Sequence, residues 1–353
     1  MKTFASVLMV ALLAGLAGAH NAFADNRDPP PPPTDWVSEE LREHPLVGKV
    51  WSAHDKSFVD LRDFGKALAL ARFVLLGEVH DNPDHHLWQA WAIRTVSKLR
   101  GSRIVEGAPQ LDIVAMEMVR TDQNEALDKF YGRNVAVPRP RKARDFARML
   151  KWQESGWPDF KIYEPIIDQA LYAQLVIVPA SVSRDFTRRL SKEGEAALVS
   201  GEADRLALAQ PLDGKLAEAL STEIKDSHCG LIPGKAIPAM SFVQRFRDAT
   251  MADSLLSVAT GKGGILIAGN GHIRRDRGVP WYLEKRGVAA QAVVALKLAE
   301  VSDGKNDPED YIERSPEGSP SADFVVFTPQ TKRDDPCEKM REQMQKKFDK
   351  DKS

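Results

Sequence analysis

Two cysteines in 353 residues allow at most one intramolecular disulfide. Net charge is nearly absent, with 49 Lys and Arg against 50 Asp and Glu. That balance excludes a nucleic-acid binder working by bulk positive charge and leaves room only for a local basic patch. After the first twenty residues no stretch is long and apolar enough to span a bilayer. Tandem repeats of solenoid type are also missing. What remains is 43% hydrophobic and 28% charged, which excludes a disordered chain and describes a globular one. The length suits one large domain or two modest ones.

The amino terminus reads as an export signal. Met1-Lys2 is a short positive start, Phe4 to Ala19 is apolar, and Ala22-Phe23-Ala24 offers small residues for cleavage. Cleavage after Ala24 is expected, with the signal over 1–24 and a mature protein that is periplasmic or secreted and not inserted in a membrane. An uncleaved anchor is the alternative reading. In an oxidising compartment Cys229 and Cys337 are expected to form a disulfide, against two free thiols. Five consecutive prolines, Pro29 to Pro33, mark 25–50 as a stiff linker outside the core. The charged stretch 331–353 reads as a surface helix or frayed tail.

Between these ends short apolar runs alternate with helical patterns. The runs are Phe73–Leu76, Val114–Met116, Leu175–Val178, Ile265–Ala268, Ala292–Leu296 and Phe324–Phe327. Unbroken apolar strands are buried on both faces, which is the property of a parallel sheet covered by helices. Leu61, Phe64 and Leu68 share one helical face before the first run, and Leu87, Trp91 and Val96 share one after it. The expected fold class is α/β, a mostly parallel sheet with helices on both faces. Residues 184–260 lack a convincing strand and read as a smaller helical subdomain inserted into the main unit, 51–330.

The polar residues that follow these runs carry the chemistry. Gly77-Glu78-Val79-His80 follows the first, Glu117 follows Met116, Ser181 follows Val178, and Gly269-Asn270-Gly271-His272 follows Ala268. In a parallel sheet these positions share the carboxyl edge, where α/β proteins bind ligands. His80, Glu117 and His272 are therefore expected to line one cavity. They suit either a divalent metal with an open position or acid–base work on water without metal. The alternative is that the two histidines only satisfy backbone groups at strand ends. His85 and His86 are adjacent and point different ways, so at most one is expected to share the site with His80 and the other to be an exposed polar residue. Arg274, Arg275 and Arg277 either grip an anion at the cleft edge or form a solvated turn with Asp276. Trp152, Trp157, Tyr163 and Trp281 are core aromatics by default, although a tyrosine phenol also suits ferric haem iron.

The segments Leu75–His86, Ala115–Met118, Gly156-Trp157-Pro158 with Tyr163-x-Pro165-Ile166, His228-Cys229-Gly230 and Gly269–Pro280 resemble the ChaN-like haem-binding family of the Tiki/TraB-related superfamily. The likeness is collinear from Trp51 to Phe327. It implies haem binding tied to iron acquisition, with haem pairs held between two protomers as a homodimer. It also implies a tyrosine ligand, for which Tyr163 is the candidate, with His80, His272, Arg274 and Arg275 as further contacts. Two departures stand out: the lipid-bearing cysteine of such members is missing, and Val178-Pro179-Ala180-Ser181 replaces a stretch expected to carry Asn. The wider superfamily also implies a second possibility, a metal-dependent peptidase or esterase using His80, Glu117 and His272.

Overall fold

A computed structural model describes residues 28–101, 105–132, 141–258 and 262–350. The expected signal and its cleavage site lie outside these residues. The strands are β1 (Val50–Ser52), β2 (Ser57–Phe58), β3 (Phe73–Glu78), β4 (Leu111–Arg120), β5 (Val176–Ser181), β6 (Gly263–Gly269), β7 (Val293–Glu300) and β8 (Phe324–Thr328). The helices are α1 (Leu61–Leu70), α2 (Pro83–Gly101), α3 (Asn124–Tyr131), α4 (Ala143–Met149), α5 (Phe160–Tyr172), α6 (Arg184–Glu193), α7 (Glu202–Arg205), α8 (Gly214–Ser227), α9 (Ile237–Val258), α10 (Val279–Lys285) and α11 (Pro336–Lys350).

The strands form one eight-stranded sheet in the order β2-β1-β8-β7-β3-β6-β4-β5. Pairing is parallel from β8 to β5, and β1 and β2 add an antiparallel edge. This mixed, mostly parallel sheet with helices on both faces is the α/β class expected. The antiparallel edge was not legible, because strands of three and two residues carry no periodic signal.

Alternation along β3 divides the core. Val74 and Leu76 pack with Phe64 of α1, Trp88 of α2 and Ile166 of α5. Phe73 and Leu75 pack on the opposite side with Leu190 of α6, Ala252 of α9 and Leu283 of α10. An apolar run buried on both faces is what such a central strand requires. The two neighbours β3 and β6 send their chains to opposite faces, β3 into α2 and β6 into α10. Two connections that diverge this way leave a crevice at the carboxyl ends of the strands.

The proline run is not a free tether. Pro30 is buried, and the indole Nε1 of Trp91 donates to its carbonyl at 2.9 Å. Asp84 then accepts from the backbone of Val37 and Ser38 at 2.7 and 2.9 Å, so the chain is docked on α2 before β1 begins. A backbone carbonyl next to a buried indole N–H is a better partner than water, which explains why the stiff segment packs. At the other end, Cys337 of α11 forms a disulfide with Cys229, their Cα atoms 5.7 Å apart. Among the described residues no helix is long and apolar enough to cross a membrane.

Candidate functional site

β3 ends on Glu78, whose carboxylate is buried. One oxygen, Oε1, receives His80 Nδ1 at 2.7 Å and the Tyr163 hydroxyl at 3.2 Å. The other, Oε2, receives Gln89 Nε2 at 2.8 Å and has His86 Nε2 at 3.4 Å. Burial alone would raise its pKa, but His86 and His80 win and hold it down to about 2. Asn82 accepts from the backbone N–H groups of Asp84 and His85, and so starts α2 ahead of Pro83.

β4 supplies Glu117, also buried. The Gly269 N–H donates to Oε2 at 2.8 Å, the Arg247 guanidinium donates to Oε1, and His272 Nε2 lies 3.5 Å from Oε1. Burial opposes its ionisation, but His272 and Arg247 hold it well below the usual carboxylate range. β6 supplies His272, whose Nδ1 lies 2.5 Å from Asp248 of α9. Burial opposes protonation there too, yet Glu117 and Asp248 raise the imidazole to about 9. Burial pushes Asp248 up to about 6 against the pull of His272.

The two turns approach closely, and glycine makes this feasible. A Cβ at Gly77 would sit 2.2 Å from Asn270 Oδ1 and 2.9 Å from Ile273. A Cβ at Gly278 would sit 2.3 Å from the His272 carbonyl. His80 Nε2 consequently comes within 3.9 Å of Glu117 Oε2. His80, Glu117 and His272 thus do meet in one cluster. Only His80 reaches solvent, with its ring edge-on to Trp157 at 4.9 Å. Burial would lower its pKa, but Glu78 and Glu117 raise it.

Several expectations are corrected by this geometry. Tyr163 is fully buried and donates to Glu78 and, at 2.9 Å, to the His80 carbonyl. Burial and the nearby carboxylates push its phenol further above its ordinary range. The Tyr163 hydroxyl thereby braces the Glu78 carboxylate against the His80 turn. Arg274 is paired with Asp276 and Glu313, and Arg275 with Asp323, so both guanidiniums are already neutralised inside the turn. His85 and His86 are both buried, because α2 is enclosed on nearly every side. His85 accepts from the Val79 N–H at Nδ1 and meets Thr328 Oγ1 at Nε2, each at 2.9 Å. Burial depresses its pKa to about 3. Ser181 closes the edge strand β5, outside the cluster. A divalent metal at His80, Glu117 and His272 finds no support. Among the described residues no group of three or more His, Cys, Asp and Glu side chains is placed to hold one. Glu117 and His272 already spend their polar atoms on Arg247, Gly269 and Asp248.

Glu78, Arg247 and Asp248 were missed as site residues. Glu78 stands two residues before His80, a spacing that in a strand-end turn brings both side chains together. Arg247 and Asp248 lie in the helical insert, with Gln244 one turn earlier near His272 Nδ1 at 3.1 Å. The Gln244 and Asp248 spacing of four was the available signal.

Beside the cluster, a groove of about 370 Å³ opens between α6, α8 and α9. Leu220, Ile224, Met240 and Val243 line it, together with Arg188, Glu223 and His228. Gln244 and Arg247 also reach its wall, so the groove runs up to Glu117 and His272.

Comparison with solved structures finds "Cofacial heme binding to ChaN of Campylobacter jejuni" at 22% identity and a TM-score of 0.58, covering 78% of this chain and 95% of that one. This likeness shows a shared fold. An erythromycin esterase mutant in its open conformation matches at 14% identity and TM-score 0.38, covering 82% and 99% of the two chains. The type III effector HopBA1 matches at 11% and 0.35, covering 74% and 88%. Both are too distant to carry an argument. No curated protein matches the sequence. The family model described as haem-binding uptake, Tiki superfamily, ChaN matches residues 64–283, more than half of the chain, and the chain belongs to that family.

Proposed function

We propose that this protein binds haem at the carboxyl edge of its sheet, in the crevice around His80 and the adjoining groove, and that it acts in haem or iron acquisition after export. Family membership supports haem as the ligand. One observation supports this reading: the buried charge cluster adjoins, through Arg247, a groove lined by Leu220, Ile224, Met240 and Val243 together with Arg188, Glu223 and His228. Bound haem would supply an iron centre with axial positions, an apolar ring and two propionates. Leu220, Ile224, Met240 and Val243 suit the ring, and Arg188 suits a propionate. His80 and Trp157 stand at the solvent side of the same edge. The relative from Campylobacter jejuni is described as binding haem cofacially. The same arrangement here would place paired haems between two protomers, each covering the other's open side.

Titrating the purified protein with hemin tests this reading. A saturable Soret shift at micromolar hemin is expected, with a change toward dimer on size-exclusion chromatography. No spectral change would overturn it.

A second reading rests on the Glu78–His80 pair. An imidazole held by a buried carboxylate, with its other nitrogen near solvent, is built as a general base. His80 would take a proton from a water attacking an ester or amide, without metal. Turnover of an activated ester that survives His80→Ala would exclude it.

A further inference from the structure

We propose that the segment 329–337 is a clasp, locked by the Cys229–Cys337 disulfide, that holds α8 in place as a wall of the groove, and that a dithiol reductant releases it. The inference concerns access to the groove and holds whichever ligand the groove receives.

α8 has only a small core of its own. Its buried residues Leu216, Leu220 and Ile224 join Leu212 in a cluster with Ile232, Met240 and Trp281, apart from the two large cores on the faces of the sheet. A helix seated on such a satellite cluster opens more readily than the central strands. Its opening would uncover the groove, because Leu220 and Ile224 are part of the lining. One polar tie fastens the middle of α8 to the sheet edge: Glu223 pairs with Arg277, in the turn that follows β6. The disulfide fastens its carboxyl end, since Cys229 stands two residues beyond Ser227.

The other end of the clasp begins where β8 leaves the sheet. The Gln330 N–H donates to the Glu40 carbonyl at 3.0 Å, and the Thr331 N–H donates to Glu300 Oε1 at 3.1 Å. Arg333 then holds two carboxylates at once. Its Nε and Nη2 donate to Asp81 at 3.0 and 2.8 Å, and its Nη1 and Nη2 donate to Glu300 at 2.6 and 2.7 Å. Asp81 follows His80 directly, so this end sits on the β3 turn. Cys337 comes four residues after Arg333, and four residues span at most about 14 Å. α8 and the strap therefore join the two turns that flank the crevice, through Glu223–Arg277 on one side and Arg333–Asp81 on the other. These ion pairs are partly solvated and individually weak, so the covalent bond carries the tie.

Cys229 and Cys337 are both half-buried, within reach of a small dithiol. One thiolate of the reductant attacks one sulfur of the bond, forming a mixed disulfide and expelling the other cysteine as a thiolate. The second thiol of the reductant then attacks the mixed disulfide and releases the remaining cysteine. The reductant ends as a disulfide, and the two cysteines together gain two electrons and two protons. No third cysteine exists in the chain to rearrange with them. The two are 108 residues apart in sequence, so once the bond is cut their reunion must again overcome the entropy of closing a long loop.

Hydrogen exchange of the intact, ligand-free protein, with and without dithiothreitol, tests the clasp. After reduction the amides of α8 are expected to exchange at least about tenfold faster, with those of β3 and β6 unchanged. The double variant Cys229→Ser/Cys337→Ser should show the reduced pattern without dithiothreitol and should not respond to it. Anilinonaphthalene sulfonate, a dye that brightens on apolar surface, should gain emission with the reduced protein as Leu220, Ile224, Met240 and Val243 become accessible. Unchanged exchange in α8 would leave the disulfide as a mere anchor for α11 and overturn the proposal. Equal acceleration in β3 and β6 would also overturn it, because that is a general loss of stability. Hemin takes no part in these measurements, so their failure leaves the haem reading standing.

Discussion

The turns after β3 and β6 share a spelling, Gly-x-x-His, and have different fates. The His80 side chain is 36% exposed, whereas that of His272 is 6% exposed. His80 has one carboxylate at hydrogen-bond distance, and His272 sits between two carboxylates with an arginine on one of them. The difference arises above the turns. α9 crosses over the β6 turn and delivers Asp248 and Arg247, while the β3 turn opens beside Trp157. A histidine enclosed by opposite charges becomes a fixed cation that organises the site. A histidine at the mouth of the same crevice keeps a nitrogen for chemistry. The same four-residue motif therefore does not predict the same role.

The largest effect should come from breaking the enclosed side. Glu117→Ala leaves Arg247 and protonated His272 without their shared anion in a buried setting, and should cost about 3–5 kcal/mol in urea unfolding. A loss below about 1 kcal/mol would mean that water already screens the cluster.

Next is pH. The folded pKa of His272 is raised to about 9 from an ordinary 6.5, so its contribution is complete below pH 6.5 and disappears as pH rises toward about 9. His85, below the β3 turn, has the opposite sign. Its pKa is depressed to about 3, so its contribution is present above pH 6.5 and is lost as pH falls toward about 3. Each proton sets a slope of at most about 1.4 kcal/mol per pH unit. Chemical unfolding followed across pH should show both limbs. His272→Gln should flatten the alkaline limb alone. An unchanged alkaline limb in that variant would show that His272 is not the group responsible.

The smallest stability effect belongs to the open turn. His80→Ala should change unfolding free energy by about 1 kcal/mol or less, because its ion pairing is partly solvated. The same substitution should perturb the hemin spectrum or the ester turnover. A large stability loss with no change in either would move His80 from the working side of the comparison to the structural side.

Much of this site is legible in the amino-acid sequence. The apolar runs Phe73–Leu76 and Ile265–Ala268 mark two buried parallel neighbours, and the residues just beyond them must emerge at one edge. That is why His80, Glu117 and His272 group together from positions nearly two hundred residues apart. Arg274 and Arg275 are legible as charges but not as partners. Whether an arginine faces a ligand or a neighbouring Glu313 or Asp323 depends on chain segments that arrive from elsewhere. Tyr163 shows the same limit. Its position in α5 follows from pattern, but its phenol is spent on Glu78 only because α5 packs across the end of β3.

By itself the sequence determined the six parallel strands, the α/β class and the polar residues at the strand ends, since burial on two faces and tight glycine turns are local demands that local residue choice must meet. The tertiary structure alone decided which of those residues stay open. Exposure and charge pairing depend on what packs over a side chain, and here α9 and α5 come from distant parts of the chain.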